Sequence, residues 1–219
     1  MCGRYSLAPT ENLAARFNAE ELQVPLLPRY NVAPSQSMPV VVHTSPNRLA
    51  LMQWGLVPAW SKEPRAAFST INARAETIAT SSVFRGPFKS RRCLVPASGF
   101  YEWHKTGQGK QPFCIRLRGG DLFAFAGLYD IWRDGDGNEL HSYTIITTAP
   151  NDVVAPIHNR MPAILRPEDE ALWLDRDADP ERLRALLAPY PAEEMEAFAV
   201  SRAVNNPANE GAELMRPAG

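Results

Sequence analysis

The sequence predicts an α+β fold: one domain built on a strongly curved, mainly antiparallel, barrel-like sheet with a few peripheral helices. Two observations predict it. Five short strand-like runs crowd together between residues 93 and 148, at irregular intervals and without a βαβ rhythm. The 20 prolines, nearly twice average usage, are spread along the whole length, which suits rigid turns between strands better than a disordered proline-rich tail. A chain of 219 residues can bury one substantial core, so residues 1–219 are read as one domain without a linker or internal repeat.

The elements follow in order. Thr10-Glu11-Asn12, followed by Leu13 and Phe17 at i,i+4 spacing, reads as a short capped helix. Pro39 to His43 and Leu49 to Trp54 read as two strands joined at Ser45-Pro46-Asn47. Asn72, ahead of Arg74 and Glu76, reads as the cap of a helix N-terminus. Strands are expected at 93–96, 99–103, 113–118, 122–128 and 142–148, with turns at Gly119-Gly120 and at Asp134-Gly135-Asp136-Gly137. Two late helices open at Pro167, with Glu168, Asp169 and Glu170 in the first turn, and after Asp179-Pro180. Residues 198–200 return as a last strand, and 205–219, polar and rich in Ala, Asn and Pro, are expected to fray.

Composition excludes several classes. No apolar run is long enough to span a bilayer, and the first residues do not resemble a signal peptide, so a cytoplasmic, membrane-independent protein is expected. The net charge of −1 argues against nucleic-acid binding by bulk charge, though not against a local basic groove. Three cysteines without C-x-x-C spacing fit neither a disulfide framework nor a zinc knuckle; Cys93 and Cys114 read as buried thiols. Neither cofactor nor metal is expected, because Cys2 and the 4 histidines lack ligand spacing.

The most informative residue is Cys2. Removal of Met1 would leave an α-amine and a thiol on adjacent carbons, and such a 1,2-aminothiol can capture an aldehyde twice, first as an imine and then as a five-membered thiazolidine. Four further segments look costlier than packing requires. Trp54-Gly55-Leu56-Val57-Pro58-Ala59-Trp60 brackets a rigid turn with two tryptophans, suited to wedging against bases or to closing a core. Asn72-Ala73-Arg74 offers an amide and a guanidinium. Glu102 sits among Phe100, Tyr101 and Trp103, an environment that raises a carboxyl toward useful proton-transfer pKa values. His158-Asn159-Arg160 lies between Pro156 and Pro162 on a stiff loop.

Together these segments resemble the SRAP family of abasic-site sensors. The resemblance is carried, in order, by Met1-Cys2-Gly3-Arg4-Tyr5, Tyr30-Asn31-Val32-Ala33-Pro34, Trp54 to Pro58, Ile71 to Glu76, Gly99 to Trp103 and His158 to Pro162. It implies covalent capture of abasic sites in single-stranded DNA through Cys2, with Asn72, Glu102 and His158 completing the active site, some lyase activity and peptidase-like removal of Met1. The expected DNA-contact residues are Arg4, Met38, Pro39, Trp54, Gly55, Arg74, Arg85 and Arg160, with Trp54 and Met38-Pro39 as wedges and Arg4 or Arg74 favouring the thiolate. No obligate protein partner is expected, and nothing requires more than a monomer. Two other readings stay open: an N-terminal-nucleophile cysteine hydrolase acting on an amide, and a non-covalent single-strand-binding module.

Overall fold

The computed structural model describes residues 2–64, 70–107 and 109–218; Met1, whose removal the sequence reading requires, lies outside them. In chain order the first elements are β1 (Tyr5–Leu7), α1 (Leu13–Arg16), β2 (Ala19–Glu20), β3 (Arg29–Val32), β4 (Ser37–Val42), β5 (Asn47–Trp54) and β6 (Asn72–Arg74). After α2 (Arg85–Ser90) come the long strands β7 (Arg92–Ala97), β8 (Gly99–Thr106), β9 (Gly109–Leu117), β10 (Phe123–Arg133) and β11 (Glu139–Thr148). Short β12 (Met161–Pro162) and β13 (Ile164–Leu165), α3 (Glu170–Leu174), α4 (Pro180–Ala185) and β14 (Met195–Ala199) complete the series.

Strands β11, β10, β7, β4 and β5 run side by side as antiparallel neighbours, and β5 then meets β11 to close the ring. That closing seam is parallel, with Gln53 opposite Ser142 and Trp54 opposite Tyr143. A closed sheet has no free edge within the ring, which removes the aggregation hazard of an unpaired strand. A second antiparallel sheet, in the order β14-β9-β8-β1-β3, lies against this barrel. Aromatic contacts join the two: Tyr5 of β1 meets Trp54 at 5.2 Å and Phe125 at 5.9 Å, and Phe100 of β8 meets Phe125 at 6.1 Å. Strand β7 is buried along its whole length, which explains its continuous apolar run instead of alternation.

The expected barrel-like α+β fold is therefore observed. The late helices are also present, and Asp179 caps α4 by accepting from the N–H groups of Glu181 and Arg182. The turn between β10 and β11 forms as expected, with Asp134 Oδ1 accepting from Asp136 N and Asn138 N. Three local expectations fail. Asn12 adopts φ 64° and makes no side-chain cap to α1. Asn72 does not cap a helix: it begins β6, where Asn72, Ala73 and Arg74 pair with Ile145, Ile146 and Thr147 of β11. The tail does not fray. Val204 and Leu214 are buried and cover Tyr101 and Cys114, while Asn31 Nδ2 donates to the carbonyls of Asn206 and Asn209, each at 2.9 Å. Val204 and the Leu214-Met215 pair, ten residues apart in a polar stretch, gave no periodic signal, yet they are what the outer face of β8 and β9 requires as cover.

Arg92 shows how the helices are fixed. It is buried and forms no ion pair among the described residues; its guanidinium donates to Trp173 O at 2.7 Å, Phe88 O at 2.6 Å, Lys89 O at 3.0 Å and Asp175 O. These carbonyls end α2 and α3, where helices lack internal donors and carry partial negative charge. Arg92→Met is expected to cost on the order of 3 kcal/mol, because it strands these acceptors in the interior. Thermal unfolding should fall by roughly 6–12 °C for a chain of this size, and an unchanged transition would contradict this account.

Candidate active site

The site forms where β1 stops covering β8. Tyr5 pairs with Phe100, and Tyr101 N donates to Arg4 O at 3.0 Å, so the chain before Arg4 runs on beside Glu102 and Trp103. Cys2 is fully buried there, and its Sγ donates weakly to Arg4 O at 3.7 Å. Beyond Tyr101 the free edge of β8 opens into a cleft of about 410 Å³, lined by Glu102, Trp103, Lys105, Lys110, His158 and Asn205. Larger hollows exist elsewhere. In the one of about 760 Å³ near Tyr190, however, Arg16 and Arg166 are already paired with Glu170 and Glu194.

Glu102 is 3% exposed, and burial pushes its carboxyl up to about 7. Its Oε2 lies 4.0 Å from His158 Nε2. His158 belongs to the stiff loop after β11. Its Nδ1 is anchored to the backbone of Arg160, 3.1 Å from the N–H and 3.2 Å from the carbonyl oxygen, which turns Nε2 toward Glu102. Burial holds the His158 pKa below its ordinary value, so the ring is neutral near pH 7. The proton carrier closest to neutrality is thus Glu102, with His158 as a neutral neighbour across the cleft.

The thiol behaves differently from the sequence expectation. Burial, and then the nearby Glu102 carboxylate, push Cys2 upward, so the resting group is a thiol. The Arg4 guanidinium is directed to Asn31 Oδ1 at 2.7 Å and Val204 O at 2.8 Å, and the thiol meets Arg4 only at its backbone carbonyl. Behind Cys2 the Tyr5 and Tyr143 hydroxyls share a 2.8 Å hydrogen bond in the core.

Asn72 stands on the inner seam between β6 and β11. Its Nδ2 donates to Ile71 O at 3.0 Å, while its buried Oδ1 has no partner among the described residues. An unsatisfied buried acceptor carries a desolvation cost that a ligand N–H or O–H would relieve.

The DNA-contact expectations divide. Met38 and Pro39 are buried in β4. Trp54 is wholly buried, stacks on Tyr143 at 6.4 Å and donates from Nε1 to Ile71 O at 2.9 Å. Neither can wedge against a base, since no face reaches solvent; the barrel seam claimed the first tryptophan of the segment. Trp60 is 68% exposed and is the one with a free face. Gly55 is buried and takes φ 119°, a left-handed conformation that a side chain would strain; it also binds Tyr143 O through its N–H at 2.8 Å. Arg160 is clamped by Glu76, with N–O distances of 2.5 and 2.9 Å. Arg74 and Arg85 are exposed, Arg74 on β6 and Arg85 at the start of α2. Sequence reasoning missed Lys105, Lys110 and Asn205. The first two bracket a hairpin turn beyond the expected end of the 99–103 strand, and strand alternation continued through Thr106 was the available signal.

Among the described residues, no three His, Cys, Asp or Glu side chains gather as a metal site, and no helix is long and apolar enough to cross a membrane.

A family model described as SOS response associated peptidase (SRAP) matches residues 1–207. The chain is 44% identical to the abasic site processing protein YoqW of Bacillus subtilis (strain 168), over 98% of this chain and 99% of that one. It is 34% identical to the abasic site processing protein YedK of Escherichia coli (strain K12), over 99% and 100% of the two chains. A crystal structure of a protein from Bacteroides thetaiotaomicron superposes with a TM-score of 0.90 at 30% identity, covering 99% of this chain and 100% of that one.

Proposed function

Because the chain belongs to the SOS response associated peptidase (SRAP) family, we propose that it captures abasic sites in single-stranded DNA as a thiazolidine on Cys2, shielding the lesion during a DNA-damage response. The observation that carries the reading is the buried Cys2 thiol beside a carboxyl raised to about 7, on a cleft that also holds His158.

Hydrolysis of the Met1–Cys2 peptide bond first frees the α-amine. An abasic sugar is mostly a closed hemiacetal; Glu102 assists opening by taking the hydroxyl proton and returning a proton to the ring oxygen. The α-amine, with an unperturbed pKa near ~7.7–8.0, is roughly a fifth to a third neutral at about pH 7.4, and a lysine would be almost wholly protonated. It adds to the aldehyde carbon, and loss of one water leaves an imine. The Cys2 S–H then adds across the C=N bond: sulfur bonds to carbon, and the thiol proton passes through Glu102 to nitrogen. A thiol held protonated by burial suits this order, since it reacts only once the imine is beside it. The buried Asn72 Oδ1 can accept from the attacking amine or a sugar hydroxyl. Ring closure removes the iminium that would drive β-elimination, so strand cleavage is a minor outcome.

Mixing the protein with single-stranded DNA carrying one abasic site is expected to yield a heat-stable adduct. Its intact mass would equal the Met1-less protein plus DNA minus one water, formed without borohydride and absent with undamaged DNA. A protein whose mass shows free Cys2 but which gives no adduct would refute the proposal.

A further inference from the structure

Two of the arginines nominated for phosphate binding are already engaged. Arg4 is held by Asn31 and Val204, and Arg160 by the Glu76 carboxylate. The cations that line the catalytic cleft are instead Lys105 and Lys110, both exposed. Neither pairs with a carboxylate among the described residues. They are also direct cross-strand partners near the end of the β8–β9 hairpin, one step before the Thr106–Gly109 pair. Like charges placed opposite each other on a ladder repel, and no carboxylate among the described residues forms an ion pair that offsets it. An anion seated between the two ammonium groups would.

We infer that Lys105 and Lys110 form a clamp for a backbone phosphate of the DNA strand, set at one side of the reacting sugar. The proposal deepens the capture reading and rests on it. Lys105 lies three residues along β8 from Glu102, about 10 Å of strand, so the clamp meets a phosphate flanking the lesion and leaves the aldehyde to Cys2. Trp103 stands between them on the cleft, its indole held by Nε1 donating to Asn205 Oδ1 at 2.7 Å. That arrangement offers an aromatic face to the neighbouring nucleotide. Lysine suits the role because an ammonium on a flexible stem acts as a point charge and need not match a fixed phosphate orientation.

The test is the second-order rate of adduct formation with an abasic oligonucleotide across a salt series, for the parent and for K105Q/K110Q. The double variant is expected to react roughly tenfold more slowly at low salt. Its log-rate against log-salt slope should be flatter by about 1.4, the release expected for two single-strand phosphate contacts. K105R/K110R, which keeps both charges, should retain most of the rate. An oligonucleotide with neutral methylphosphonate linkages flanking the lesion should slow the parent to the level of K105Q/K110Q and slow that variant little further. A parent that reacts normally while K105Q/K110Q keeps the same rate and salt slope overturns the clamp. A parent with free Cys2 that fails to react with the phosphodiester oligonucleotide overturns the capture reading itself, and the two failures are thereby distinguishable.

Discussion

Cys2→Ala is expected to abolish the heat-stable adduct, a loss of about 10³-fold or more, the scale on which removal of a nucleophile acts. The variant still presents an α-amine, so it should form an imine that borohydride can trap. With no thiol to close the ring, that imine is free to eliminate, and cleavage of the strand at the lesion should rise above the parental level. The fold tolerates the change, because a buried thiol replaced by a methyl group leaves only a small void. The combination of lost adduct, trappable imine and increased cleavage separates the capture reading from its rivals. A non-covalent binding module predicts no effect, and an amide hydrolase predicts loss of small-amide turnover with no imine. A heat-stable adduct from Cys2→Ala without reductant would reject the thiazolidine.

The second large effect is at Glu102. Glu102→Gln preserves shape but cannot carry a proton, and adduct formation should fall about 10²-fold, within the usual range for a general acid–base group. The pH–rate profile should lose the limb near pH 7 that Glu102 supplies, leaving the limb set by the α-amine. Stability should move the opposite way. The carboxyl has an ordinary value of 4.5 and a folded value of about 7, so the folded state holds its proton more tightly than the unfolded chain. The advantage of that proton is complete below pH 4.5 and is lost as pH rises to 7 and beyond; the buried carboxylate then weighs on the fold by ~3 kcal/mol. Glutamine carries no such burden. Relative to the parent, Glu102→Gln should therefore gain stability between pH 5 and pH 8 while losing activity. Chemical unfolding at those two pH values checks the sign, and equal parental and variant stabilities at pH 8 would refute the buried-carboxylate account.

Local hairpins were legible because each declares itself twice, in strand-forming runs and in the turn between them. The stretch from β7 to β11 is read almost in full, apart from strands that run two to five residues further than expected. The closure of the barrel was not legible. It depends on β5 meeting β11 across some 90 residues of chain, in parallel register, and no local pattern encodes such a pairing. That seam decides the fate of Trp54, and the adjoining β6–β11 pairing decides that of Asn72. Trp54 stacks inside the seam, which leaves the exposed face to Trp60, and Asn72 becomes a strand residue although its neighbours compose a plausible helix start. The cations show the same division. Arginines beside glycine and aromatics drew attention by residue type, but whether a cation is available depends on its neighbours in space. Glu76, distant in sequence, takes Arg160, and no carboxylate among the described residues pairs with Lys105 or Lys110.

By itself the sequence determined the curved antiparallel architecture, the aminothiol potential of Cys2 and the residue types able to serve it, because turn chemistry and reactive groups are local properties. Tertiary structure alone decided that Cys2, Glu102 and His158, separated by 100 and 56 positions, share the edge that β1 leaves open on β8. It also decided which ionisable groups are shifted. Burial raises a carboxyl and a thiol and lowers an imidazole only where the fold withholds water from them, and the order of residues along the chain does not state where that will be.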